Sequence, residues 1–331
     1  MKIFLTGSEG FIGSHLTEHL LKKNYKLRCL YQYNSFNNKG WLEEIDNKLL
    51  KKADLVAGDI RDQNFLKNEI KGCDVVIHLA ALIAIPFSYK SANSFLETNT
   101  KGTLNILEAC RENKIKKLIC TSTSEVYGTG VKMPMKEDHR LLAQSPYSAS
   151  KIAADQFAIS YHLSFGLPVT ILRPFNTFGP RQSLRAVIPT IINQAINGKK
   201  KLNLGLISTS RDFNFIEDVT NAFEKSLKSK KDVGQVINIG TGREITIGKL
   251  ARTIYQIMGL NLKLAKDKKR LRPKKSEVLR LKASNLKAKK FLNWKPKFNN
   301  EKLFREALKK TISWYHKKEN RKKFKDNSFI L

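Results

Sequence analysis

Apolar residues in the first 120 positions follow two alternating periods. Short apolar runs at Lys2–Leu5, Leu27–Tyr31, Leu55–Ala57, Val75–Leu79 and Lys117–Thr121 read as strands, and segments of helical spacing separate most of them. In Phe11 to Lys23, for example, Phe11, Ile12, Leu16 and Leu20 share one helical face, and Phe65–Ile70 and Phe95–Glu112 also have a helical period. Strands that are apolar throughout, rather than at every second residue, are buried on both faces, so the pattern predicts a parallel sheet covered by helices on both sides. A long helix is expected over Pro146–Phe165, opened by Pro146 and closed by Gly166, with a strand at Val169–Leu172 after it. Beyond Gly179-Pro180 the pattern turns mixed. Short strands (Leu202–Leu204, Phe213–Phe215, Val236–Ile239) are interspersed with helices (Val187–Ile196, Thr246–Met258, Lys302–His316).

The expected architecture is therefore α/β: a Rossmann-type doubly wound parallel sheet over residues 1–180 and a smaller mixed α/β substrate lobe over 181–316. Some elements of the lobe return to the main sheet, and a basic C-terminal tail occupies 317–331. The 331 residues are 41% apolar, enough to build a sizeable core, which excludes global disorder. Charge complicates this picture. A net +32 invites a nucleic-acid or membrane-surface partner. Residues 261–331, however, hold 25 Lys/Arg against 6 Asp/Glu, so the excess is steepest at the C-terminal end. The basic clusters Lys199-Lys200-Lys201, Lys228–Lys231 and Lys266–Arg270 lack the interleaved aromatics of a single-strand platform and read as solvated surface. No nucleic-acid partner is expected. Cys29, Cys73, Cys110 and Cys120 show no C-x-x-C spacing, so no metal site or redox motif is indicated. The longest apolar run, Val75 to Phe87, is too short to span a bilayer, and the N-terminus makes a poor secretory leader. A cytoplasmic protein with free thiols and no stable membrane insertion is expected.

Candidate chemistry begins at Thr6-Gly7-Ser8-Glu9-Gly10-Phe11-Ile12-Gly13, between the first strand and the first helix. Glycines there permit a tight turn, close approach of backbone to a pyrophosphate and tight helix-on-sheet packing, while the helix N-terminus offers free N–H groups. An NAD site of this kind usually has an acid about 20 residues further on. Here that stretch, Leu30-Tyr31-Gln32-Tyr33-Asn34-Ser35, contains neither an acid nor an arginine for a 2′-phosphate. Asn34 or Ser35 is left to bond the ribose. NAD is the expected cofactor, with NADP open. Asp59 has two readings, acceptor for the adenine amino group or helix N-cap before Arg61.

Tyr147 and Lys151, four apart at the start of a helix, share a face. An ammonium beside a phenol favours phenolate, and a phenolate poised nearer neutrality takes a proton from a sugar hydroxyl as hydride leaves the same carbon. The fifth strand ends in hydroxyls, of which Thr123 is placed to orient that reacting group. Glu125, two residues on, reads either as a base for a carbon-bound proton or as a cap of the following turn.

In family order the chain carries the glycine turn, His78-Leu79-Ala80-Ala81, Asn99-x-x-Gly102-Thr103, the Ser/Thr run, Tyr147–Lys151 and Arg173-Pro174-Phe175-Asn176. Together these resemble the extended short-chain dehydrogenase/reductases that modify nucleotide sugars, the NAD-dependent epimerase/dehydratase family. Thr123-Ser124-Glu125 looks like the 4,6-dehydratases, and also like the glucuronate decarboxylases; simple 4-epimerases usually lack the glutamate. Further stretches are similar to the nucleotide-activated N-acetylglucosamine 4,6-dehydratases of legionaminic-acid-type pathways. They include Tyr33-Asn34-Ser35-Phe36-Asn37, Leu82-Ile83-Ala84-Ile85-Pro86, Gln144–Lys151, Arg185-Ala186-Val187-Ile188-Pro189 and Arg211-Asp212-Phe213-Asn214-Phe215.

The resemblance implies that a GDP- or UDP-linked N-acetylglucosamine is oxidised at C4, loses water across C5 and C6, and regains hydride at C6. Thr123, Glu125, Tyr147 and Lys151 would be catalytic. Gly7, Gly10, Phe11, Ile12, Gly13, Asn34, Asp59, Ile60, Leu79, Ala80, Ala81 and Asn99, with Tyr147 and Lys151, would hold the cofactor. Ser124, Asn176, Arg185, Val187, Arg211 and Arg272 would hold the substrate. A homodimer through a four-helix bundle of Phe95–Glu112 and Pro146–Phe165 is implied as well. A UDP-glucuronate decarboxylase or a 4-epimerase on the same scaffold is the enzymatic alternative, and a nucleic-acid-binding protein on a retired dehydrogenase scaffold is the other.

Overall fold

Residues 1–198, 201–261, 263–267 and 270–324 are described by the computed structural model. Lys199, Lys200, Lys268 and Lys269 of the basic clusters, and the last seven residues of the expected tail, lie outside them.

The apolar runs form the strands β1 (Lys2–Thr6), β2 (Lys26–Gln32), β3 (Asp54–Gly58), β4 (Val75–His78), β5 (Lys117–Thr121) and β6 (Val169–Pro174). A seventh strand, Val236–Ile239, pairs with β6, and the order across the sheet is Val236–Ile239, β6, β5, β4, β1, β2, β3. Every pairing in this sheet is parallel. The chain runs outward from β1 to β3 and then resumes on the other side of β1 with β4. The strand order therefore reverses between β1 and β4, where the register sets Thr6 beside His78. At such a point the loops after neighbouring strands part and leave a crevice at their carboxyl ends.

Both faces of the sheet are dry, which is why its strands read as unbroken apolar runs. Ile3, Leu5, Ile77, Ile119 and Ile237 pack with Leu16 and Leu20 of helix α1 (Phe11–Lys22) and Phe223 of the helix Ile216–Lys228. Phe4, Val76, Leu118 and Ile171 face the opposite way, onto Ile106, Leu107 and Ala158 of the helices Gly102–Glu112 and Pro146–Phe165. Full burial of such side chains stabilises by about 1.5–3 kcal/mol each. Past residue 180, the strand Val236–Ile239 and the helix Ile216–Lys228 belong to the main sheet. A separate core joins Ile188, Ile191, Phe213, Leu250, Ile254, Phe304 and Leu308.

Two stretches differ from the sequence pattern. The single helix expected over Phe95–Glu112 is three pieces: Ala92–Phe95, a π-helical stretch Leu96–Lys101, and Gly102–Glu112. The interruption coincides with Asn99, whose side chain bonds Leu82 and Ser150 instead of facing solvent. The start of the expected tail is also ordered. Lys318–Lys322 is helical, and the Phe324 ring packs 5.5 Å from Trp41 and 6.2 Å from Trp314, while Lys323 pairs with Glu44. None of the helices among the described residues is long and apolar enough to cross a membrane.

One buried ion pair ties the start of β5, inside the sheet, to the end of the helix Ile216–Lys228. Lys117 Nζ donates to Asp232 Oδ1 at 2.5 Å, to Ser226 O at 2.5 Å and to Ser229 O at 2.8 Å. Burial pulls the Lys117 ammonium pKa down, and Asp232 opposes that pull. Removing one partner leaves the other charge uncompensated. The Asp232→Ala variant should lose about 3–5 kcal/mol of unfolding free energy in urea, and the double variant Lys117→Met, Asp232→Leu should recover most of it.

Candidate active site

The glycine turn leaves β1 at the switch point. Gly7 has φ +67°, and a Cβ there would lie 2.7 Å from Ala80 N. A Cβ on Gly13 would lie 2.0 Å from Gly7 O. Both positions thus exclude any side chain, and the close packing turns the start of α1 toward the crevice. Its N-cap, Gly10, has no side-chain cap, so the first-turn N–H groups of Phe11, Ile12 and Gly13 have no intrahelical acceptor. This cradle fits an anionic diphosphate by dipole and by donor count.

The segment after β4 is held to the turn through His78. Thr6 Oγ1 accepts from the N–H groups of Leu79 and Ala80, both at 3.2 Å, and lies 2.8 Å from His78 Nδ1. On the far side of the ring, Nε2 is 3.1 Å from Thr103 Oγ1, which itself donates to Asn99 O at 2.6 Å. Thr103 has used its proton, so His78 carries its own proton on Nε2 and accepts from Thr6 at Nδ1. Burial, with Lys151 adding repulsion, lowers the His78 pKa to about 3 and keeps the ring neutral.

From the turn, a cavity of about 730 Å³ runs past the ends of β4, β5 and β6 to the second lobe. Thr123, Glu125, Tyr147 and Lys151 all line it. Thr123 caps the short turn Ser124–Tyr127, its hydroxyl accepting from Glu125 N at 3.2 Å. Tyr147 sits in the first turn of Pro146–Phe165, fixed by a capping box between Ser145 and Ser148. Burial pushes the Tyr147 phenol above its usual range, a hydrogen bond with Thr123 opposes the shift, and the nearby Glu125 charge adds to it. Lys151 is buried as well, which lowers its pKa against the pull of Asp155, and its Nζ donates to Thr121 O at 2.7 Å. In the protein alone, burial with the charges of Glu125 and Asp155 thus moves Tyr147 in the direction opposite to the one the Tyr147–Lys151 spacing suggests.

Beside Glu125 on the cavity lining are two arginines. Arg211 donates to Ser210 O at 2.9 Å and stands 3.6 Å from Glu277 Oε1. Its pKa is lowered by burial, supported by Glu125 and lowered further by Arg272. Arg272 Nη1 is 3.7 Å from Glu125 Oε2, beyond hydrogen-bond reach, and is buried without a hydrogen-bond partner, as are Asn176 Oδ1 and Thr121 Oγ1. Unpaired polar atoms on a cavity lining mark where a polar ligand completes the bonding. Among the described residues no His/Cys/Asp/Glu cluster can hold a metal.

The family model for GDP-mannose 4,6 dehydratase matches residues 4–307. The chain belongs to that family. A dTDP-D-glucose 4,6-dehydratase of Dictyostelium discoideum is 38% identical over 275 residues, 77% of this chain and 62% of that protein, so the chain spans less than two thirds of that relative. A UDP-N-acetyl-alpha-D-glucosaminuronate decarboxylase of Bacillus cytotoxicus is 31% identical over 96% of this chain and 99% of its own length. Among solved structures, the dTDP-glucose 4,6-dehydratase DesIV of Streptomyces venezuelae, with NAD and TYD bound, superposes with a TM-score of 0.86. It is 29% identical and covers 98% of this chain and 99% of that one.

In this member of the GDP-mannose 4,6 dehydratase family, most of the residues singled out from sequence meet in the one cavity. Gly7, Gly10, Phe11, Ile12, Gly13, Asp59, Ile60, Leu79, Ala80 and Ala81 line its first half, and Asn176, Arg185, Val187, Arg211 and Arg272 its second. Four do not line it, among them the exposed Ser35. Asn34 binds its own loop, donating to Gln32 O and Asn38 O and accepting from Asn38 N. Asn99 is fully buried, with its amide engaged by Leu82 and Ser150, so it positions the wall segment rather than touching the cavity. Ser124 is buried off the lining. Asp59 combines a place on the lining with a turn role. It accepts from Arg61 N at 2.9 Å and from the Arg61 guanidinium, while the N-cap of the next helix is Asp62. The sequence reading passed over Glu9, Trp41 and Glu277, all on the lining. A charged residue inside the glycine turn was the available signal for Glu9; Trp41 and Glu277 are brought in by loops whose course no periodicity reveals.

His78 ties stability to pH. Its folded pKa, about 3, lies below the unfolded value near 6.5, so on acidification the unfolded chain takes up a proton that the folded chain refuses. Between pH 6 and 4.5 this contributes a loss of about 1.4 kcal/mol per pH unit. Urea unfolding across that range should show a shallower pH dependence by about that amount for His78→Gln.

Proposed function

We propose that this protein is a nucleotide-sugar 4,6-dehydratase acting on an N-acetylglucosamine linked to GDP or UDP. The observation that carries the reading is that Glu125 opens into the same cavity as Thr123, Tyr147 and Lys151. Oxidation at C4 alone needs no second base; elimination across C5 and C6 does.

NAD, when bound on the glycine turn, supplies the acceptor that holds hydride between its removal from C4 and its return to C6. The protein's own groups do the rest. Gly7, Gly10 and the N–H groups of Phe11, Ile12 and Gly13 receive the cofactor diphosphate. Thr123 orients the C4 hydroxyl, and Tyr147 removes its proton as phenolate, a form that the Lys151 charge favours. The ketone so formed at C4 acidifies the C5 hydrogen. Glu125 takes that proton and delivers it to the departing C6 hydroxyl, which leaves as water; reprotonated from solvent, Glu125 then returns a proton to C5 as C6 is reduced. Arg211 and Arg272 meet the substrate diphosphate, with Asn176 beside them. An assignment to the cytoplasm goes with a substrate made there and with four unpaired thiols.

We also infer a homodimer through the helices Gly102–Glu112 and Pro146–Phe165, supported by the exposed apolar residues Phe157, Leu163 and Phe165 along the second.

Incubation with UDP- and GDP-N-acetylglucosamine should give, with one of them, a product lighter by one water and, in heavy water, carrying one deuterium at C5. Loss of carbon dioxide from UDP-glucuronate, or simple inversion at C4, would replace this reading. Glu125→Gln should lower dehydration by about 10²–10⁴-fold and abolish C5 labelling. Light scattering should give about twice the 37.8 kDa chain mass, and Phe157→Glu should return it to one chain.

A further inference from the structure

β2 ends without the acid that usually marks a ribose site, yet a carboxylate reaches that point from elsewhere. Glu9 lies in the glycine turn, 23 residues before Gln32, the last residue of β2. Its Oε1 accepts from Gln32 N at 3.1 Å. Its Oε2 is buried with no hydrogen-bond partner. Glu9, Gln32 and Trp41 all line the cavity at this end.

The side chain is not placed loosely. Trp41 N donates to Glu9 O at 3.0 Å, and a Cβ on Gly40 would lie 2.9 Å from that same oxygen, so the loop after β2 clamps the turn at Glu9. The residues that sequence alone offered for the ribose are elsewhere: Asn34 is engaged within its loop, and Ser35 is exposed and off the lining. Burial pushes the Glu9 carboxyl up, while backbone N–H bonds, among them that of Gln32, oppose the shift. A buried carboxylate oxygen without a donor is costly unless a ligand supplies one.

We propose that Glu9 is the ribose-recognising acid of this chain, accepting from the adenosine-ribose hydroxyls through Oε2 and excluding a cofactor with a 2′-phosphate. An ionised carboxylate is an acceptor only, suited to a diol and repelled by a phosphate of like charge. Arg61, a cation on the lining at this end, is bidentate on Asp59, with Nε–Oδ1 at 3.0 Å and Nη2–Oδ2 at 2.5 Å. The specificity element has therefore moved from the end of β2 to the glycine turn while serving the same place in space. The inference rests on the nicotinamide-cofactor reading given above.

The test is calorimetric titration of the full chain, freed of copurified nucleotide, with NAD⁺ and NADP⁺, alongside Glu9→Gln and Glu9→Ala. The wild-type protein should bind NAD⁺ at least a hundredfold more tightly than NADP⁺. Both variants should narrow that ratio at least tenfold, chiefly by gaining affinity for NADP⁺. An unchanged ratio in the variants, equal loss of both cofactors, or a wild-type preference for NADP⁺ overturns the role of Glu9. If the folded wild-type protein, checked by its melting transition, binds neither nucleotide, the cofactor reading fails and the inference fails with it. Should the alanine variant not fold, the isosteric glutamine variant decides alone.

Discussion

The Thr6–His78 contact is the hinge on which the site depends. It joins the two strands between which the sheet reverses its order, at the level where both chains leave the sheet. From Thr6 the network reaches the N–H groups of Leu79 and Ala80. From His78 it reaches Thr103, then Asn99, then Leu82. The glycine turn, the segment after β4 and the π-helical stretch are thereby held in one arrangement. Each bond is modest alone, but Thr6, His78, Asn99 and Thr103 are all buried and satisfied, and loss of any one of these strands a neighbour in a dry environment.

Burial shapes the reactive end as well. Tyr147 and Lys151 are each shifted toward the neutral form by desolvation, and Asp155, itself paired with Arg173 at 2.9 Å, pulls Lys151 back toward charge. A site of this kind is quiet without its ligands, because its charged forms need partners that the protein alone does not supply. Glu125 differs from Tyr147 in having a guanidinium alongside it, that of Arg272. Two oxygen groups on one cavity lining thus have different neighbours, a threonine hydroxyl for Tyr147 and a guanidinium for Glu125.

Much of this was legible in the sequence, for identifiable reasons. The strands are doubly buried, so their runs of Val, Ile and Leu stood out, and the helix Pro146–Phe165 announced both its ends through Pro146 and Gly166. The glycine turn and the Tyr147–Lys151 pair are local patterns whose spacing is their geometry. What escaped the sequence was nonlocal or energetic. Helical period cannot show that Asn99 turns inward and widens its helix, since that depends on Leu82 and Ser150. Burial of Tyr147, which raises its pKa, depends on packing that the four-residue spacing to Lys151 does not reveal. Asn34 was a reasonable ribose partner by position, but its amide closes its own loop. The position of Glu9 beside Gln32 follows from the strand pairing, which no window along the chain contains.

The aromatic contact between Trp41 and the far end of the chain bears on the order in which the molecule is made. Trp41 lines the cavity beside the glycine turn, yet its ring partners are Trp314, at 5.6 Å, and Phe324. On the ribosome, the first six strands emerge well before either partner. Trp41 thus gains these ring partners only once the helical segments Glu301–His316 and Lys318–Lys322 have been made and folded back beside it.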